Sequence, residues 1–282
     1  AVTLAILITS FAHASDAYIP KNDEEVLETL PRTLISKRNE FEILRNRLRT
    51  DPKNAEIAAE LASRYMELGS AEGDPRYYGY AQAAIEPWWE ARRPGTEILS
   101  LRAKLKEKDH QYEAAASDLK LLLEESPRDA QAWINLANIY RVQGEYDKAK
   151  EIGQTLGEFA GDIPTILCTA PIRSLTGEAE EAYAELVEVM PQALDEFPST
   201  TTWILTMQAE IGVALGRDEQ AEEHFLEGLK DAPANFYLLR SYADFLLDHQ
   251  RESEVIELLS MHESDNGILL RLAIAANRLG QE

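Results

Sequence analysis

Residues of the same kind return every 34 positions through the middle of this chain, Tyr112 with Tyr146 and Ala115 with Ala149. Self-similarity at that period marks a helical hairpin, two antiparallel helices joined by a turn. Such a hairpin is too small to bury its apolar stripe alone. It must stack on copies of itself, so the architecture is a row of hairpins sharing one long core. The chain has 282 residues, 45% of them hydrophobic, which is enough apolar material for that core.

The register extends in both directions. Residues 55–95 carry Leu61, Ala62, Tyr65, Gly69, Ala81, Ile85 and Trp88, with an insertion at 70–76 in the turn between the two helices. Residues 96–129 carry Leu99, Ala103, Ala115, Leu119, Leu122 and Pro127. A weaker unit starts at Ile163 with Ala170, Gly177, Ala182 and Leu186 and ends at Pro198. The next holds Trp203, Ala209, Gly216, Ala221, Phe225 and Pro233, and a shorter one at 236–265 holds Ala243, Val255 and Leu259. Pro87 and Pro171 fall inside expected helices and should kink them, making the unit around Pro171 a candidate joint. Trp88 takes the buried position of its second helix.

The best-marked unit reads Trp133, Leu136, Ala137, Tyr140, then Gly144, Tyr146 and Ala149. It resembles the tetratricopeptide repeat (TPR) family pattern W-x2-L-G-x2-Y…A, with Ala137 in place of a small glycine. The resemblance implies an all-α, right-handed α-solenoid of about six units over residues 55–282. Residues 15–54, with an amphipathic helix broken at Pro31, would cap its N-terminal end. Ile268, Leu269, Leu272, Ala273 and Ala276 begin a seventh first helix whose partner is missing, so the natural chain is expected to continue past Glu282.

Residues 2–11, VTLAILITSF, are followed by Ala12-His13-Ala14 and then by Ser15-Asp16. A short apolar run closing on small residues at −3 and −1 reads as a signal peptide over 1–14, truncated at its start, with cleavage after Ala14. The expected location is periplasmic or secreted. The single cysteine, Cys168, excludes an internal disulfide.

Chemistry-bearing patterns are sparse. His110, His224, His249 and His262 form no His-x-x-x-His spacing. Ser117-Asp118-Leu119-Lys120 matches Ser-x-x-Lys without its companion motifs, on an outer helix face. Asp265-Asn266-Gly267 is a helix-entry turn rather than a calcium loop. Cys168 has no basic neighbour and reads as an inert small hydrophobe. No catalytic residue, metal site or cofactor is expected.

The balance of 28 Lys+Arg against 50 Asp+Glu, net −22, lacks the basic footprint of a nucleic-acid binder. Residues 178–231 alone hold fourteen acids against Arg217 and Lys230. They read as solvated helix faces, with a basic-peptide or divalent-cation surface as the sharper alternative.

What the TPR resemblance implies for function is a polypeptide segment held along the concave face lined by the first helices. In that register the contact residues would be Asn135, Asn138, Arg141, Trp203, Met207, Glu210, Tyr237, Arg240 and Asp244. Asparagine pairs with both peptide groups and arginine with carboxylates, although Asn135 and Asn138 could equally bond between neighbouring helices. The expectation is a non-catalytic scaffold or assembly factor with a protein or peptide partner. The alternative is an accessory subunit of a periplasmic enzyme, or the enzyme itself.

Overall fold

The computed structural model describes residues 32–262 and 264–280, and side chains from residue 40. The expected signal peptide and the break at Pro31 lie outside the described residues. The chain divides into two units, residues 1–43 and 44–282. Helix α1 (Arg32–Thr50) crosses that division, and its Leu44 is buried within the larger unit.

The larger unit is the expected row of hairpins. Helices α2 (Ala55–Glu72) and α3 (Arg76–Ala84) form the first, α4 (Thr96–Lys108) and α5 (Tyr112–Glu125) the second, α6 (Ala130–Val142) and α7 (Tyr146–Gly157) the third. The fourth pairs α8 (Asp162–Leu175) with α9 (Ala179–Glu196), and the fifth pairs α10 (Thr201–Ala214) with α11 (Asp218–Asp231). The sixth pairs α12 (Phe236–Asp248) with α13 (Glu252–Leu259), and α14 (Asn266–Arg278) packs on both. Among the described residues there is no strand. The architecture is an all-α helical-repeat solenoid.

Local chemistry sets the helix ends. Asn54, Asp129, Asn235 and Asp265 each stand just before a first helix, and each side chain accepts from the backbone N–H three residues on. Asp265 thus serves the helix entry expected of it. The turns inside the third, fourth and fifth hairpins pass through Gly144, Gly177 and Gly216 at φ of 74°, 94° and 70°. An L side chain is strained there, and glycine is not.

The second helix of the first hairpin is cut short by a proline. Pro87 has no N–H to give to a carbonyl four residues back, and its ring would collide with it. Helix α3 therefore stops at Ala84, and Glu86–Trp88 form a single 3-10 turn. This corrects the expected place of Trp88, which is half-buried on that turn, while Ile85 fills the core. Helix α8, in contrast, runs on through Pro171.

The core is one seam in successive segments. Leu119, Leu122, Leu136, Ile139, Ala149 and Leu156 fill the middle hairpins. Leu167, Ala182, Leu186, Ile204 and Met207 continue it, and Phe225, Leu238, Tyr242, Phe245, Val255 and Ile268 fill the last. Ala115, Ala149, Ala182, Ala221 and Ala243 are wholly inaccessible, as the small residues of close helix crossings must be.

Candidate functional site

The first helices of successive hairpins pack side by side, α6 against α8, α8 against α10, α10 against α12 and α12 against α14. Their polar stripes are joined by hydrogen bonds. Asn138 Nδ2 donates to Glu107 Oε1 at 3.0 Å, linking α6 to α4, and Arg141 Nη2 donates to Asn138 Oδ1 at 2.7 Å. Tyr237 Oη and Ser241 Oγ both donate to Glu210 Oε1, at 2.9 and 2.7 Å, linking α12 to α10. Arg271 of α14 pairs with Asp244 and donates to the Arg240 carbonyl.

The phenol of Tyr237 is half exposed, and its hydroxyl is pushed up to about 12, first by desolvation and then by Glu210. Glu107 is likewise held above the usual carboxylate range by burial, opposed by its bond from Asn138.

A cavity of about 970 Å³ opens where this surface meets the first hairpin. Its walls include Glu67, Tyr78, Lys108, Phe236, Tyr237 and Arg240. Lys108 Nζ sits 5.3 Å from the Tyr78 ring centroid, and Arg240 Nη1 lies 3.5 Å from Asp265 Oδ2.

The expected contact residues divide into three groups. Asn138, Arg141, Glu210, Tyr237, Arg240 and Asp244 are on the bonded stripes just described. Asn138 bonds between helices, one of the two roles open to it. Asn135 Oδ1 accepts from Gln131, while its Nδ2 is buried without a partner. Trp203 is 37% exposed, but Met207 is 4% exposed and belongs to the core. Met207 is therefore corrected from contact residue to packing residue. Helix α10 carries apolar side chains on nearly every face, so no polar stripe marks which face looks outward.

Glu107, Ser241 and Arg271 were missed. Glu107 stands 34 residues before Arg141, the same place in the repeat, and that signal was available.

Four further carboxylates, Asp162, Glu185, Glu188 and Glu196, line a second cavity of about 450 Å³. Cys168 is buried and its thiol is pushed up to about 12 by desolvation. Ser117 is exposed and donates to the Glu113 carbonyl. Among the described residues no three His, Cys, Asp or Glu side chains are placed to hold a metal ion, and no helix is long and apolar enough to cross a membrane. Several acids of residues 178–231 are tied into pairs, Glu178 with Lys150 and Arg173, Glu180 with Arg217, Glu222 with Arg251.

Residues 108–163 match the tetratricopeptide repeat family. The helices on either side of that stretch continue the same helical-repeat fold. A tetratricopeptide repeat protein of Parabacteroides merdae is similar over 86% of this chain and 94% of its own, at 16% identity and a TM-score of 0.61. A thermophilic tetratricopeptide repeat protein of Thermus thermophilus is similar over 68% of this chain and 99% of its own, at 22% identity and a TM-score of 0.55. The Cut9–Hcn1 hetero-tetramer of the APC/C contains a chain similar over 85% of this one and 46% of its own, at 12% identity and a TM-score of 0.56. No curated protein matches the sequence. Proteins of this fold serve in general as interaction scaffolds.

Proposed function

We propose that this protein is a non-catalytic scaffold or assembly factor that holds a polypeptide segment along the inner face of its solenoid, in the periplasm. The cavity walled by Glu67, Tyr78 and Lys108 of the first two hairpins and by Phe236, Tyr237 and Arg240 of the sixth carries the reading. It brings donors and acceptors from hairpins distant in sequence around one space, which suits an extended chain whose peptide groups and side chains meet successive helices. The similar chain in Cut9–Hcn1 belongs to a hetero-tetramer, an assembly of the kind proposed. The apolar run ending at Ala12-His13-Ala14 supports export.

The test is a pull-down from periplasmic extract with the native chain and with Asn138→Ala/Arg141→Ala. The variant should lose its specific partner at unchanged helicity and melting temperature. The same partner recovered at the same yield rejects this surface. Fractionation of the source cells, with the mature N-terminus read by mass spectrometry, should give a periplasmic protein starting at Ser15.

A further inference from the structure

The insertion in the first hairpin reaches across the solenoid. At Gly73, where φ is 65°, a Cβ would stand 3.0 Å from Phe236 Cζ and 3.1 Å from Asp265 Cβ. The turn of the first hairpin thus touches the entrances of α12 and α14, in the sixth hairpin and beyond. The same meeting forms one wall of the 970 Å³ cavity.

Both sides of this contact are stiff. On the turn, Arg76 N donates to Asp74 Oδ1 at 3.0 Å, and its guanidinium Nε and Nη2 donate to Asp74 Oδ2 at 2.9 and 2.5 Å. Pro75 fixes the residue between them. Opposite, Asn235 and Asp265 cap their helices, and the Phe236 ring meets His262 edge-on at 6.2 Å between centroids. Across the contact, among the described residues, runs no hydrogen bond or ion pair between 70–76 and 232–267. Two rigid edges therefore meet through one glycine and one ring.

We propose that the turn Gly73–Pro75, with the ends of α2 and α3 that flank it, forms a clasp, closing the inner trough against the start of α12 and opening to admit a bulky occupant sideways. Gly73 is the residue that lets it shut, because a Cβ there would press on the Phe236 ring, a larger side chain would push it away, and either would be strained at this backbone angle. This inference concerns access to the trough and stands whatever the trough binds.

The test places a reporter thiol inside, Tyr237→Cys, with buried Cys168 as a sentinel whose labelling would report unfolding. Labelling rates are compared for N-ethylmaleimide and for maleimide-coupled streptavidin, with the clasp native, wedged by Gly73→Leu, or trimmed by Phe236→Ala. The small reagent should react equally in all three, and the large one at least tenfold faster in the two opened forms. Equal streptavidin rates in folded native and trimmed proteins would overturn the clasp.

Discussion

Arg102 and Asp118 form a two-point ion pair inside the second hairpin, Nε to Oδ2 at 2.8 Å and Nη2 to Oδ1 at 2.6 Å, with each side chain about 5% exposed. Lys106 Nζ adds a third bond to Asp118 Oδ2 at 2.8 Å. The remaining Arg102 nitrogen, Nη1, donates to the carbonyls of Trp88, Trp89 and Ala91 at 3.0, 2.6 and 2.9 Å. Those carbonyls lie where Pro87 has ended the preceding helix, so no full helical ladder serves them. One guanidinium therefore joins a hairpin interior to the broken end of its neighbour.

Asp118→Ala should consequently be severe. It leaves Arg102 charged, buried and unpaired, a loss of about 3–5 kcal/mol. Urea unfolding should show it as a lowered midpoint. Replacing both partners, Arg102→Met with Asp118→Leu, should recover much of the loss in the hairpin, yet deprive the 88–91 carbonyls of their shared donor. A double variant as unstable as Asp118→Ala would argue that the carbonyl cage matters more than the pair.

A second prediction separates two roles of glycine. A Cβ on Gly153 of α7 would fall 2.2 Å from Thr169 Cγ2 of α8. Gly153→Ala should cost about 1–3 kcal/mol by overpacking, and Thr169→Ser in the same chain should restore most of it by removing that methyl. At Gly144 a Cβ meets nothing within 4 Å, so Gly144→Ala adds only left-handed backbone strain of about 1–2 kcal/mol. No second-site change in a neighbouring side chain should relieve it. Thermal melts of these variants decide the matter.

Two imidazoles should titrate in opposite directions. His249 is raised above its ordinary value, first by its Nδ1 bond to the Phe245 carbonyl and then by Asp218, 3.1 Å from Nε2. His224 is lowered by burial beside Tyr183. The contribution of His249 to stability is complete below its unfolded value near 6.5 and fades as pH climbs through its higher folded value. That of His224 is complete above about 6.5 and is lost as pH falls toward its lower folded value. Each effect should stay below about 1 kcal/mol, because both sites are partly solvated. Proton NMR should find one midpoint on either side of 6.5, and His249→Gln should abolish the decline on the alkaline side.

Cys168 should ignore thiol reagents in the folded protein at neutral pH, since burial keeps its proton on. Modification by N-ethylmaleimide should track global unfolding in urea. Stoichiometric labelling in native buffer would contradict the packing of α8.

Periodicity determined the hairpins, because each must present its apolar stripe at the same places to stack on the next. Gly144, Gly177 and Gly216 fell at the turns for the same reason. The ion pair was missed, with Asp118 placed on an outer helix face, although its signal was present: Arg102 stands 34 residues before Leu136 and Asp118 the same distance before Ile152, so both charges occupy core positions of the repeat. A lone charge there is costly, and two opposite ones in a hairpin imply each other. The inner face was read only in part. Asn138, Arg141, Glu210 and Tyr237 follow from the register, but Met207 lies on a helix apolar all round, where sequence alone does not mark the outward side. The clasp was beyond the sequence altogether. Whether residues 70–76 meet the sixth hairpin depends on small rotations accumulated over the intervening stack, and these are set by how side chains interlock at every crossing rather than by any local pattern.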